Sequence, residues 1–307
     1  MSKHIDRFNK INKEYIEFNK DSKNSKLRIR DISNKLNVSE AELLSLSVND
    51  SVSFLSINDF NQFFTYLLSN IDKVMFLIRS EFVVHEKIII PFQYKIINDS
   101  IINKKNNSLL IKFNSETFKY SFFEIKKHNN RNLKSFQFFD YYGTSVLKIY
   151  LKGKKDVEFE NLANQYKIEY KYQIQKDFTS DKYIQFKNKH SDKIPPHSDF
   201  KLTLRQLLNG IAKKSIPVNI YAFGIECMQC HSDIIKNIVD YGPWLNIMDK
   251  NFNIHVLENK ISFSKSGIRD DNNCIDFYDI NNNLVLSISG KKGQNEFLKQ
   301  IIDKSNV

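Results

Sequence analysis

Residues 135–155 read SFQFFDYYGTSVLKIYLKGKK, and residues 274–292 read CIDFYDINNNLVLSISGKK. Each stretch has an apolar run, an aspartate, a short polar turn, a second β-branched run and a closing Gly-Lys-Lys. Two further pairs keep the same order at a similar offset. FLIRSEFVVH (76–85) lies on AFGIECMQCH (222–231), which superposes His85 on His231, and FKYSFFE (118–124) lies on FNIHVLE (252–258). No single match is decisive, but their shared order implies that one unit occurs twice. Short runs of β-branched and aromatic residues broken by Asn-rich turns read as strands that follow one another closely, hence antiparallel sheets.

Helices bracket those runs. Ile5, Phe8, Ile11, Tyr15 and Phe18 recur at helical spacing over residues 1–20. RIRDISNKLNVSEAELLSL reads as two short helices around Asn37-Val38, the second capped by Ser39 with Glu42 three positions on. NDFNQFFTYLLSNI, FKLTLRQLLNGIAKK and NEFLKQIIDK are further helical stretches. The expected fold is α+β: two tandem repeats, each a large antiparallel sheet with flanking helices. The first spans 1–155 and the second 201–307. Between them, 156–200 is a polar, helical linker whose most linker-like point is Ile194-Pro195-Pro196.

Composition bounds the function. The 307 residues include 25 Phe but only 8 Gly and 5 Pro, which excludes collagen-like and low-complexity classes. The formal net charge is +11, which suits either a solvated basic surface or an anionic partner. Three cysteines do not make a disulfide framework. The first twenty residues carry charges throughout, and no apolar run reaches the roughly 18 residues of a membrane span. A cytoplasmic location is expected, with no membrane span.

GIECMQCHSDI (224–234) contains the C-x-x-C-H string of haem-attaching cytochromes, in Cys227, Cys230 and His231. A cytoplasmic chain would not receive that attachment. The motif also falls on a strand, where Cys227, Gln229 and His231 share one face while Met228 and Cys230 share the other. Cys230 and His231 therefore point apart. A zinc site would need a second ligand pair that Cys274 alone does not supply.

Several blocks resemble the bacterial hemin-degrading factor family (HemS/HmuS/ChuS). They are RIRDISNKLNVSEAELL, DKVMFLIRSEFVVHE, KSFQFFDYYGTSVLKIY, GIECMQCHSDIIKNI, GPWLNIMDKNFNIHVLE and SGKKGQNE, in the family's order from about residue 28 to 296. The resemblance implies a cytoplasmic two-copy α+β protein that takes up imported hemin. Several members degrade it with oxygen and an external electron donor, releasing iron. It also implies a cleft between the halves, with a proximal histidine, a distal arginine, and basic and tyrosine residues at the propionates.

Carried over residue by residue, the resemblance puts Lys112 of LLIKFNSETF at the distal arginine and Phe118 at a family tryptophan. A lysine keeps the charge and loses the planar fork. Ser180 of KDFTSDKYIQF stands where the proximal histidine is expected, so His197 or His190, a little further on, becomes the candidate iron ligand. Ser289 replaces a family tyrosine, Lys292 replaces an arginine, and Lys265 matches a lysine. The candidate site is thus Lys112 as the catalytic cation, His197 as the metal ligand, and His190, Lys265 and Lys292 as further haem contacts. Haem is the expected cofactor or substrate, and hemin, a haem importer or another haem acceptor the expected partners.

Two other functions fit the residues. One is a non-catalytic haem chaperone or carrier. The other is a basic nucleic-acid-binding protein, because IRDISNKLNVSEAELLSL has the length and turn of a helix-turn-helix. Glu40 and Glu42 at the start of the second helix oppose phosphate there, which makes nucleic acid the weaker expectation.

Overall fold

The computed structural model describes residues 2–129, 131–169 and 203–291, together with 296, 298 and 300. Helix α1 (Ser2–Lys20) is followed by α2 (Ile29–Leu36) and α3 (Glu40–Ser45), strand β1 (Val52–Leu55) and helix α4 (Phe60–Asn70). Strands β2 (Val74–Arg79), β3 (Val83–Ile89), β4 (Tyr94–Ile97), β5 (Ser100–Asn103), β6 (Leu109–Phe113), β7 (Tyr120–His128), β8 (Arg131–Phe139) and β9 (Ser145–Leu151) lead to α5 (Asp156–Tyr166). After α6 (Leu204–Lys213) come β10 (Val218–Gly224), β11 (Cys227–Asp233), β12 (Ile238–Tyr241), β13 (Trp244–Asp249), β14 (Phe252–Val256), β15 (Phe263–Arg269), β16 (Asn272–Tyr278) and β17 (Leu284–Gly290). Residues 296, 298 and 300 are helical.

The strands form two antiparallel sheets, as expected. A nine-stranded sheet runs β1-β7-β8-β9-β2-β3-β14-β13-β12, and an eight-stranded sheet runs β15-β16-β17-β10-β11-β6-β5-β4. The two copies interlock. The first lends the ribbon β4-β5-β6 to the eight-stranded sheet through β6–β11 pairing, and the second lends β12-β13-β14 to the nine-stranded sheet through β14–β3 pairing. This corrects one of the alignments. The chain 252–258 holds β14, whose counterpart in the first copy is β6 rather than β7. The sequence could not separate these candidates, because both are short alternating strands and only the sheet to which each crosses distinguishes them.

The other alignments match the pairing. His85 lies opposite Ile78 in the hairpin β2–β3, and His231 lies opposite Ile220 in β10–β11. The hairpins β8–β9 and β16–β17 turn in the same way. Asp140 Oδ1 accepts from Tyr142 N (2.9 Å) and Thr144 N (2.7 Å), and Asp279 Oδ1 accepts from Asn281 N and Asn283 N (both 2.8 Å). A carboxylate that binds the backbone two and four residues on fixes such a turn locally. Two tighter hairpins use left-handed pairs: Asn98-Asp99 (φ 45° and 56°) between β4 and β5, and Asp270-Asp271 (φ 48° and 59°) between β15 and β16. Asn and Asp are the non-glycine residues that tolerate that region best.

The sheets face each other across one apolar core. Phe76, Ile78, Phe136, Phe138, Ile149 and Ile254 from one sheet meet Ile220, Ala222, Ile275, Phe277, Leu286 and Ile288 from the other. Their alternation with polar residues is what a strand with one buried face requires. Phe63, Phe64 and Leu67 of α4, Phe159 and Leu162 of α5, and Leu204, Leu207 and Ile211 of α6 extend the same core. Side chains such as Phe136, at 0% exposure, each contribute on the order of 3–5 kcal/mol against truncation to Ala.

Helices α2 and α3 follow the sequence closely. Asn37 closes α2 in the left-handed conformation at φ 51°, where asparagine is favoured after glycine. Ser39 Oγ accepts from Glu42 N (3.1 Å), and Glu42 Oε2 accepts from Ser39 N (2.7 Å). All six residues of α3 are buried. They cover the outer face of the nine-stranded sheet, where Ala41 and Leu44 meet Tyr120, Phe122 and Phe139. Glu40 pairs with Arg79 and Lys148 of that sheet, and Glu42 pairs with Arg7. This overturns the helix-turn-helix reading: a recognition helix must present its side chains to a groove, and α3 spends all of them inside the protein. No helix among the described residues is long and apolar enough to cross a membrane.

Candidate functional site

The outer face of the eight-stranded sheet, away from the core, collects the candidate residues. On β10 the alternation points Ile220 and Ala222 inward and Asn219, Tyr221 and Phe223 outward. On β11 it points Cys227, Gln229 and His231 inward and Met228 and Cys230 outward. The motif that raised a cytochrome is therefore split between the two sides of one sheet, as strand alternation predicts. His231 Nδ1 lies 2.8 Å from Lys87 Nζ between the sheets.

Lys112 of β6 sits opposite Met228, which sits opposite Phe223. Lys112 is exposed. From the far side, Arg269 of β15 lays its guanidinium over Phe223 (5.3 Å) and Tyr221 (5.5 Å). Its Nε donates to Ser287 Oγ at 3.0 Å, and it pairs with Asp276 at 3.4 Å. Lys265, also on β15, lies over the stacked rings of Phe263 and Tyr278 at 5.5 and 5.9 Å. Lys112 and Lys265 thus flank one face from strands five positions apart, roughly 24 Å at ordinary strand spacing. Between them lies a floor of Phe223, Tyr221 and Met228.

Electrostatically, the floor is neutral. Burial holds the Tyr221 phenol well above its usual range, reinforced by Cys230 and by the hydrogen bond it donates to Asp270 Oδ2 at 2.8 Å. Burial pushes the Cys230 thiol up to about 12 and Cys274 to about 12. Neither group offers an anion to a metal at neutral pH, since the thiolate and not the thiol is the ligand. No cluster of three or more His, Cys, Asp or Glu among the described residues could hold a bare metal ion. The arrangement suits a flat, largely apolar ligand edged with carboxylates.

Of the candidates named from the sequence, Lys112 and Lys265 lie on this face. His190, His197, Lys292 and Ser180 lie outside the described residues. Sequence reasoning missed Arg269. It sits four residues beyond Lys265, and only its place at the end of β15 shows that its guanidinium lies over the aromatic rings of β10. Tyr221 and Phe223 were missed because an alternating strand does not reveal which of its faces turns away from the core.

Comparison with known proteins follows this geometry. The family model described as Haemin-degrading HemS.ChuX domain matches residues 37–166, from the turn between α2 and α3 to the end of α5. None of the curated proteins matches. Among solved structures, the heme degrading enzyme ChuS of Escherichia coli O157:H7 superposes with a TM-score of 0.75 at 17% identity, covering 95% of this chain and 97% of that one. The heme-binding protein PhuS of Pseudomonas aeruginosa, in its holo form, superposes with a TM-score of 0.72 at 16% identity, covering 92% and 95%. At such identities the likeness speaks for the fold, which runs the whole length of both. The family model thus matches the first copy, and the two-copy fold is similar end to end to that of ChuS.

Proposed function

We propose that the chain binds haem on the outer face of the eight-stranded sheet and degrades it to release iron. The observation that carries this is the apolar floor of Tyr221, Phe223 and Met228 bounded by Lys112 on one side and Arg269 and Lys265 on the other. A haem site needs an axial donor, an apolar slot and cations for two propionates. The floor and the cations meet two of these needs, and His197 or His190 is the proposed donor for the third. Arg269, Lys265 and Lys292 hold carboxylates. Lys112, at the edge of the apolar floor, serves as hydrogen-bond donor on the distal side. Bound there, haem would supply the oxygen-dependent redox chemistry, with electrons from an external donor.

In this reading the repeats run 1–155 and 201–307, joined by 156–200, and the protein works in the cytoplasm on hemin received from an importer or passed to an acceptor. The ChuS and PhuS likenesses support haem as the ligand, since their names describe heme degradation and heme binding.

A carrier that holds haem without degrading it is the second reading. It is favoured by the chemistry of Lys112, because an ammonium lacks the forked guanidinium geometry. Hemin titration followed by ascorbate in air separates the two. A saturable Soret shift that bleaches supports degradation, a shift that persists supports a carrier, and no specific shift overturns both. His197→Ala and His190→Ala should each be scanned; if both leave the spectrum unchanged, the ligand assignment falls.

A further inference from the structure

The Val74–Ile89 pair ends the β2–β3 ladder, and Ile90, Pro91 and Phe92 then make one tight turn into β4. The turn is held from several sides. Pro91 is buried, and Gln93 N donates to Ile90 O at 3.2 Å. From the end of β5, Lys104 N donates to Gln93 O and Lys104 Nζ to Phe92 O, both at 2.8 Å. Ile90 and Phe92 nevertheless face outward, 42% and 61% exposed. A single exposed apolar side chain is ordinary. Here two of them flank a buried proline, on backbone that its hydrogen bonds hold in place, so they cannot fold back against the core.

Cations surround this turn. Lys104 and Lys105 lie beside Phe92. Lys73 precedes β2 and so lies beside Ile90, and its carbonyl accepts from Lys152 N at 3.0 Å, which places the end of β9 next to it. Ser135 of β8 pairs with Tyr150 of β9, so the β7–β8 tip, with Lys126 and Arg131, reaches the same end of the sheet. From β8 to β3 this is three strand spacings, roughly 15 Å. All six of these side chains are exposed, and none of them forms an ion pair among the described residues. Acidic groups of the same end are engaged elsewhere. Asp72 accepts from the backbone of Lys73, Lys154 and Lys155, Asp156 and Glu160 pair with Lys134, and Glu158 pairs with Lys155.

Unpaired cations alone suit any polyanion. A fixed phenylalanine and isoleucine among them gain little from a phosphate backbone, but they match the boundary between lipid headgroups and acyl chains. We infer that this end of the nine-stranded sheet docks on an anionic lipid bilayer, with Phe92 and Ile90 entering the headgroup boundary and Lys73, Lys104, Lys105, Lys126, Arg131 and Lys152 on the lipid phosphates. The contact is peripheral, since no helix among the described residues is long and apolar enough to cross a membrane. It needs both parts, because one short apolar turn or a set of surface cations alone binds a bilayer only weakly. The inference uses none of the residues proposed to hold haem and does not rest on that reading.

The test is co-sedimentation of the full chain with vesicles of phosphatidylcholine alone and with vesicles that also contain phosphatidylglycerol. The expected result is binding to the anionic vesicles only, weakening as salt is raised. Lys73→Ala and Lys152→Ala should each weaken it about fivefold, and Phe92→Ser by about tenfold or more. All three side chains are exposed, so the fold should survive their loss. Lys260→Ala, an exposed lysine beyond the opposite end of β14, should change nothing. No binding to anionic vesicles overturns the inference, as does wild-type binding by Phe92→Ser. If Lys260→Ala weakens binding as much as Lys73→Ala, the net charge acts diffusely and the docking surface falls. Binding of duplex DNA that Lys73→Ala weakens and Phe92→Ser does not, without binding to vesicles, would make nucleic acid the partner and overturn the lipid assignment.

Discussion

His85 and His231 pack against the same ring. His85 meets Phe252 at 5.0 Å, and His231 stacks on it at 3.8 Å and 7°. They hold equivalent positions in the two repeat hairpins, and β14 of the second copy brings Phe252 between them. The junction of the two copies is therefore a buried imidazole pair, with Lys87 donating to His231. Among the described residues, neither ring nitrogen of His85 finds a partner, nor does Nε2 of His231.

This pair should make the fold acid-sensitive. Burial, with Lys87 adding to it, pushes His85 down to about 3 and His231 down to about 2 from an ordinary 6.5. Below pH 6.5 the unfolded chain takes up protons that the folded chain refuses. Stability is therefore fully present above pH 6.5 and is lost progressively as pH falls toward 3, by about 1.4 kcal/mol per pH unit for each histidine. Urea unfolding at pH 7.0, 6.0 and 5.0 should show the midpoint falling steeply. His85→Leu should cost little at pH 7, since it removes two unpartnered polar atoms, and should remove about half of the slope. An unchanged slope would mean that this histidine does not titrate in the unfolding reaction.

A second prediction concerns the ion cluster under α3. Glu40 faces Arg79 and Lys148, and all three side chains are at most 13% exposed. Glu40→Gln leaves two buried cations without their anion, which costs about 3–5 kcal/mol. Lys148, already lowered to about 8 by burial, loses the charge that holds it up. Thermal unfolding should show a large drop in Tm, and hydrogen exchange should show α2 and α3 opening first. A drop within the range of an ordinary surface substitution would show that the cluster contributes little.

Much of this architecture was legible because it is locally encoded. The Ser39–Glu42 box, Asn37 and the Asp140 and Asp279 turns each satisfy backbone groups within four residues. Strand alternation placed Cys230 and His231 on opposite faces. The exchange of ribbons was not legible, because whether β6 pairs with β5 alone or also with β11 depends on residues more than a hundred positions away. Arg269 escaped notice for the same reason. Its meaning comes from Tyr221 and Phe223, three strands away in the sheet, which only the sheet order supplies.

The cysteines give a third prediction. Cys227, Cys230 and Cys274 are all free and buried. Burial raises Cys227 beyond the usual thiol range and Cys230 to about 12. Iodoacetamide at pH 8 should leave all three unmodified in the native protein and label all three in denaturant, as read by mass spectrometry. Rapid native labelling of Cys230 would contradict its protonated state and would reopen it as a metal donor.

The last prediction concerns the two cations that bound the aromatic floor. Arg269 is held by Ser287, Asp276 and two rings, whereas Lys112 is exposed on its strand. An anchored guanidinium loses less freedom on pairing with a carboxylate and can engage it through two bonds. Arg269→Ala should therefore weaken hemin binding by roughly ten- to a hundredfold, matching about 1.5–3 kcal/mol for a charge-assisted hydrogen bond. Arg269→Lys should recover only part of that loss. Lys112→Ala should change affinity less and the rate of ascorbate-driven bleaching more, because its proposed role is on the distal side. Lys112→Arg, which restores a fork, should speed bleaching. Equal affinity losses for Arg269→Ala and Lys112→Ala, with no difference in bleaching, would show that the two cations act only as a diffuse positive charge; the remedy for that result, raising the salt from 50 to 500 mM, would then abolish binding in the wild type as well.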